Sequence, residues 1–178
     1  MNNGETMDSK TRLKIRKACE NDAKELCSIL NEIIEIGGTT GFENELGEPE
    51  FESYFLNGTN HICCFLAENN GLVLGFQSLS LHPNLSDDWA DIATFARANP
   101  KIRGVGTTLF ETTLNFARRR NINAINATIR ADNKSGLSYY SKMGFKDYSI
   151  AEKIPLRDGT PVDRISKIFT VAAARASA

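Results

Sequence analysis

The sequence predicts an α/β (α+β) domain, a mixed central sheet with helices on both faces. Three observations carry this reading. Strand-like runs at 62–68 and 72–81 flank Asn69-Asn70-Gly71, the pattern of a β-hairpin. Strand-like runs near 92–97 and 124–130 are each followed by a segment with helical apolar spacing, 104–120 and 134–143. Two last strands flank the turn residues Asp158-Gly159. No internal repeat or linker-like tract interrupts this order, so one domain is expected over 12–171.

Taken in order, residues 1–11 are polar, lack the apolar core of a signal peptide and are expected to form a disordered lead-in. Leu13 to Arg16 is a short strand. Asp22 with Glu25 offers a capping box for a helix whose apolar stripe is Ala23, Leu26, Cys27, Leu30, Ile33 and Ile34. Gly37-Gly38 stops that helix. An irregular stretch leads to a short helix from Pro49 to Leu56, and then to the hairpin. The helix after Gly104 carries the stripe Val105, Leu109, Phe110, Thr113 and Ala117. Residues 172–178 form a tail.

Composition restricts the partners. At 178 residues, 41% hydrophobic and 24% charged, the chain suits a single globular core. A net charge of −1 gives no electrostatic reason to expect nucleic acid or an anionic membrane. No apolar run approaches the roughly eighteen residues that span a bilayer. Cys19, Cys27, Cys63 and Cys64 show no framework spacing and are expected as free thiols of a cytoplasmic protein. Cys63 and Cys64 are neighbours in a strand and point to opposite faces. His61 and Cys63 share a face, but with two histidines in the chain and no third ligand at usable spacing, no metal site is expected.

The densest chemical signal is Lys101-Ile102-Arg103-Gly104-Val105-Gly106, a basic glycine loop between the run Ile92-Ala93-Thr94-Phe95-Ala96 and a helix. Glycines let backbone N–H groups approach a ligand closely, and a helix N-terminus favours negative charge. A diphosphate fits such a site. A dinucleotide fingerprint would need a third glycine where Leu109 stands, and a Walker loop would need Lys-Ser/Thr where Thr107-Thr108 stands.

Downstream lies Asn133-Lys134-Ser135-Gly136-Leu137-Ser138-Tyr139-Tyr140-Ser141-Lys142-Met143-Gly144-Phe145. With this segment the chain resembles the GCN5-related N-acetyltransferase family. Lys101-x-x-Gly104-x-Gly106 matches that family's Gln/Arg-x-x-Gly-x-Gly/Ala loop, with lysine in the first place. Asn133, Tyr140, Gly144 and Phe145 match its second signature. The resemblance runs from about Leu13 to Phe169 and is nearest to the phosphinothricin and methionine sulfoximine type of acetyltransferase. It implies a mostly antiparallel sheet splayed at the cofactor site, and acetyl-CoA as co-substrate.

Roles for individual residues follow from the same resemblance. The amides around Arg103, Gly104, Val105, Gly106 and Thr107 would bind the pyrophosphate of coenzyme A, with Lys101 and Arg103 adding charge. Phe95, Ala96 and Arg97 would pair with the pantetheine arm, one exposed N–H there polarising the thioester oxygen. Tyr140 would protonate the leaving thiolate, whereas Tyr139 is expected to pack. Asn133 would cap its helix and contact the cofactor arm. For the base that takes the amine proton, Asp91 and Glu43 both stand as candidates. Thr39, Thr40, Phe42 and Glu43 resemble a substrate loop, Trp89 offers an apolar wall, and Arg130 and Arg97 could hold a substrate carboxylate.

The expected activity is direct transfer of acetyl from acetyl-CoA to a primary amine of a small, amino-acid-like molecule. A protein amino group as acceptor, or a non-catalytic acyl-CoA sensor, are the alternatives. No cysteine is paired with a histidine for ping-pong transfer. A homodimer is expected, with the apolar run Ile165 to Val171 as one candidate surface.

Overall fold

A computed structural model describes residues 13–171; the expected N-terminal lead-in and C-terminal tail lie outside the described residues. Seven strands and four helices follow the anticipated order. They are β1 (Lys14–Lys17), α1 (Ala23–Ile36), α2 (Glu48–Phe55), β2 (His61–Asn69), β3 (Leu72–Ser80) and β4 (Trp89–Ala96). After these come α3 (Val105–Arg119), β5 (Ala124–Arg130), α4 (Lys134–Lys142), β6 (Lys146–Pro155) and β7 (Pro161–Thr170). The sheet order is β1-β2-β3-β4-β5-β7-β6, and β4–β5 is the parallel pair among otherwise antiparallel neighbours.

Each face of the sheet buries its own apolar cluster. Val105, Leu109, Phe110 and Ala117 of α3 and Tyr140 of α4 pack on Leu79, Ile92, Ile125 and Ile129. On the other face, Leu26, Ile29, Leu30 and Ile34 of α1 and Phe51 and Phe55 of α2 pack on Leu66, Phe76 and Phe95. All five stripe residues expected on α3 are buried, because a period of 3.6 turns them toward one side. Cys63 and Cys64 divide between the two clusters, as strand alternation requires.

Three expectations are corrected. The Asp22–Glu25 capping box does not form. Asp22 instead accepts from the Cys19 N–H at 2.9 Å and from Arg16 at 2.8 and 2.7 Å, so its carboxylate serves the preceding turn. Strand β4 begins at Trp89, three residues earlier than the apolar run suggests, because Trp89 and Ala90 pair with Ala124 and Ile125 of β5. The run Ile165 to Val171 offers no free strand edge, since β7 is paired with β5 on one side and β6 on the other. The open edge on that side of the sheet belongs to β6, along which Tyr148, Ile150 and Ile154 are exposed.

One feature of the sheet positions the site. Strands β4 and β5 pair only through Trp89, Ala90 and Asp91, and beyond the Asp91–Asn126 pair they diverge. Ile92 to Ala96 therefore have no partner on the β5 side, while β3 still pairs with them on the other. Gly75 permits this arrangement. A Cβ there would lie 2.5 Å from the Phe95 carbonyl oxygen and 2.9 Å from Ala96 Cα, so no side chain fits beneath the diverging strand.

Candidate active site

The glycine loop ends β4 and opens α3. Gly104 is the N-cap residue in the left-handed region, φ 88°, with open space where a side chain would stand. The first bond of α3 runs from Thr108 N–H to the Gly104 carbonyl at 2.9 Å, so the N–H groups of Val105, Gly106 and Thr107 precede the helical ladder. No acidic residue lies in this first turn, and no side chain caps it. Lys101, Arg103 and Thr107 are exposed beside it. The result is an uncompensated positive helix end with basic neighbours, which suits a diphosphate.

Gly106 has a second reason to be glycine. A Cβ there would meet Tyr139 Cε2 at 2.8 Å. The Tyr139 hydroxyl donates to the Gly106 carbonyl at 2.8 Å and accepts from Gln77 Nε2 at 3.2 Å. Tyr139, expected only to pack, thus clamps the first turn of α3 to the sheet. Burial pushes its phenol up to about 12.

Tyr140 sits one residue further along, with its oxygen 3.0 Å from Thr94 Oγ1 of β4. It is buried, and desolvation raises its phenol far above the ordinary value, aided by the neighbouring Tyr139 and Asp91. The sequence signature located Tyr140, but nothing in it pointed to Thr94 or Gln77. Their only signal is position, since Gln77 and Thr94 are cross-strand partners on the face that α4 covers. Gln77 is fully buried, and its Oε1 has no partner among the described residues, which costs about 1–3 kcal/mol.

The backbone of β4 resolves the three residues expected to pair with an extended ligand. Arg97 N–H donates to Leu74 O at 2.9 Å, so alternation turns the polar groups of Arg97 and Phe95 toward β3. Those of Ile92, Thr94 and Ala96 face the gap beside β5. Ala96 thus offers its backbone groups to the gap, whereas those of Phe95 and Arg97, expected there, are corrected to β3-facing positions. The Arg97 guanidinium is also engaged, with Val73 O at 2.7 Å, Glu32 at 2.9 Å and Glu25 at 3.4 Å, so it is not free to hold a substrate carboxylate.

On the opposite face of β4 stands Asp91. Asn126 Nδ2 donates to its Oδ1 at 2.6 Å, and Asn126 Oδ1 accepts from the Tyr148 hydroxyl at 2.7 Å. Burial raises the Asp91 carboxyl above its usual value, opposed by the Asn126 bond and by nearby His82. Trp89 lies edge-on to Tyr148, with ring centroids 6.0 Å apart. Asn126, Thr128 and Arg130 of β5 share this face, opposite Ile168, Ser166 and Arg164 of β7. It forms a polar floor.

The loop after α1 reaches this floor. Thr39 O accepts from Asn133 Nδ2 at 2.8 Å, and buried Thr40 accepts from Phe42 N–H at 3.1 Å. Phe42 packs edge-on to Tyr54 at 5.4 Å, a wall shared with α2. Glu43 accepts from Arg157 N–H at 2.8 Å and so braces the loop against the β6–β7 turn. Asn133 caps α4 through the Gly136 N–H at 2.8 Å. Arg130 is held at both Nε and Nη2 by Asp132, at 2.9 and 2.7 Å, which occupies that edge of its guanidinium. Arg164, its cross-strand partner, carries a buried Nη1 with no partner among the described residues.

A helix end for a diphosphate, a strand edge for an amide-bearing arm, and a buried tyrosine and a half-buried aspartate on either face of that strand now stand together. The sequence model of the acetyltransferase (GNAT) family matches residues 25–145. This chain belongs to the GNAT acetyltransferase family. The free helix end and unpaired strand edge fit the pyrophosphate and pantetheine amides of acetyl-CoA. GNAT enzymes use it as donor of an acetyl group activated as a thioester.

Mycothiol acetyltransferase of Rhodococcus jostii (strain RHA1) is 28% identical over 109 residues, 60% of this chain and 35% of that protein. The chain thus spans about a third of the length of this relative. Two solved structures share the GNAT fold. The ribosomal-protein-alanine N-acetyltransferase of Brucella melitensis superposes with TM-score 0.80 at 21% identity, covering 88% of this chain and 99% of that one. A phosphinothricin acetyltransferase of Sinorhizobium meliloti, in complex with acetyl-CoA, superposes with TM-score 0.79 at 17% identity, covering 93% and 92%. Among the described residues, no helix is long and apolar enough to cross a membrane.

Proposed function

We propose that this GNAT protein transfers acetyl from acetyl-CoA directly to a primary amine of a small, amino-acid-like acceptor held with it in a ternary complex. The observation that carries the reading is the placement of Asp91 and Tyr140. They flank β4 from opposite faces, at the place where it separates from β5. One approaches the acceptor side and the other the cofactor side.

In this reading the amides of Val105, Gly106 and Thr107 bind pyrophosphate, with Lys101 and Arg103 beside them. The N–H groups of Ile92, Thr94 and Ala96 supply the free strand edge, and one of them polarises the acyl oxygen. Asp91 takes a proton from the acceptor amine, directly or through water, and its raised carboxyl pKa makes it the better base. Tyr140, kept protonated by burial, gives its proton to the departing sulfur. Glu43, fixed to the Arg157 amide, positions the acceptor loop rather than serving as base. Asn133 joins that loop to α4.

The cysteines support direct transfer. Burial pushes Cys63 up to about 12 and raises Cys27 and Cys64, which opposes thiolate formation. Cys19 is exposed but lies between β1 and α1, away from the glycine loop in the fold. Free thiols throughout suit a cytoplasmic protein, and the open β6 edge is the surface on which a homodimer would form.

The test is a screen of amines for CoA release from acetyl-CoA, with amino acids, their analogues and short peptides as acceptors. Saturable turnover of amino-acid-like amines is expected. Turnover of peptide N-termini alone would move the acceptor class to proteins, and tight acetyl-CoA binding with no acceptor would favour a sensor.

A further inference from the structure

Between the first turn of α3 and Tyr140 runs a buried chain of polar groups. It passes from the Gly106 carbonyl to the Tyr139 hydroxyl, the Gln77 amide, Thr94 Oγ1 and the Tyr140 hydroxyl. The links are 2.8, 3.2, 2.8 and 3.0 Å long. Counting protons assigns their sense. A carbonyl oxygen only accepts, so Tyr139 directs its single hydroxyl proton to Gly106. The Tyr139 oxygen is then left to accept, which fixes the Gln77 amide with Nε2 turned toward it and toward Thr94. Nε2 has two hydrogens and gives one to each. Oε1 is thereby turned away and is left unpartnered.

Thr94 Oγ1 now accepts from Gln77, and the oxygen of Tyr140 is the hydrogen-bond partner within reach of its own proton. If Thr94 donates there, the Tyr140 proton is the surplus one, beside the gap between β4 and β5. The chain holds five donor protons for four links, one more than the links use.

We propose that Gln77 and Thr94 are positioning residues that make Tyr140 a hydrogen-bond acceptor toward the protein, leaving its own proton aimed at the sulfur of bound acetyl-CoA. This rests on the role given to Tyr140 above. In the transfer, the acceptor nitrogen forms its bond to the acyl carbon and its proton passes to Asp91. The C–S bond breaks with both electrons going to sulfur, and Tyr140 delivers its proton there. The phenolate so formed is held by the Thr94 O–H until solvent returns the proton that Asp91 took.

Gln77→Glu tests the polarity with little change of shape. Once ionised, the introduced carboxylate only accepts, so Thr94 must donate to it and Tyr140 must then donate to Thr94; the loss is expected to grow with pH, because burial favours the protonated, donating form. The expected result is a fall in kcat of about tenfold or more with an unchanged KM for acetyl-CoA. Thr94→Val is expected to behave likewise, and Thr94→Ser to retain wild-type turnover. A second readout needs no acceptor, because the thiol of bound CoA can be titrated through the ultraviolet absorbance of its thiolate. A donor at Tyr140 is expected to lower that thiol's pKa by about one unit, and both Gln77→Glu and Thr94→Val to abolish the shift. Wild-type kcat together with a thiol pKa still lowered as in wild type in Thr94→Val would overturn the proposal even if Gln77→Glu failed to fold. A titration that follows the variants while no amine is acetylated would retire the acceptor reading and leave the proton chain standing.

Discussion

The ring of Tyr139 occupies the place where a side chain on Gly106 would stand, with Cε2 2.8 Å from that Cβ position. Gly106→Ala should therefore displace the ring and break the bond from its hydroxyl to the Gly106 carbonyl. The expected cost is about 1–3 kcal/mol of unfolding free energy, together with weaker acetyl-CoA binding. Combined with Tyr139→Leu, the two losses should be less than additive by denaturant unfolding. Full additivity would mean that the contact does not exist.

Tyr140→Phe removes the hydroxyl that meets Thr94 at 3.0 Å. We expect kcat to fall about 100-fold while calorimetric affinity for acetyl-CoA stays unchanged. Because burial holds this phenol above the ordinary tyrosine value, its ionisation should not set the alkaline limb of the wild-type pH profile near pH 10. An equal loss of affinity would assign the hydroxyl to binding instead.

Asp91→Asn should separate activity from stability. The folded-state pKa of Asp91 is raised above 3.8, so its favourable contribution is complete below that value and is lost as pH rises through the folded value. At neutral pH the ionised carboxylate is thus a net cost to the fold. The variant is expected to lose turnover yet to melt no lower than wild type around pH 7, with the advantage vanishing in acid. A lower Tm at neutral pH would show that the carboxylate is stabilised there.

Gly75→Ala places a Cβ 2.5 Å from the Phe95 carbonyl oxygen and 3.2 Å from Val105 Cγ1. The backbone of β4 must shift to admit it. A loss of about 2 kcal/mol is expected in urea unfolding, with weaker acetyl-CoA binding because the displaced edge is the one the pantetheine amides would meet. Unchanged stability would contradict the packing of Gly75 beneath β4.

Lys101→Ala and Arg103→Ala should each weaken acetyl-CoA binding by about 1 kcal/mol, the worth of one exposed charge-assisted contact. Wild-type affinity should fall with ionic strength, and less steeply in the double variant. A salt-insensitive Kd would remove both side chains from the phosphate site.

Much of this protein was determined by local sequence. The period of 3.6 in α3 named its five buried residues, and the loop at 69–71 joined β2 to β3. The glycines at 104 and 106 with the helix behind them specified an anion site, because dihedral freedom and the helix dipole are properties of neighbouring residues. Tyr140 and Asn133 were legible through a fixed spacing along one helix.

Other features depend on residues far apart in the chain. The divergence of β4 from β5 after Asp91 chose which backbone groups of β4 are open, and so moved the strand-edge role from Phe95 and Arg97 to Ile92, Thr94 and Ala96. Arg97 was a candidate to hold a substrate carboxylate, but folding brought Glu32 and Glu25 to it. The chain from Gly106 to Tyr140 joins residues 33, 62, 17 and 46 positions apart. Hydrogen bonds between buried side chains are set by the register of strands and the docking of helices, and these depend on packing over the whole sheet rather than on neighbours in sequence.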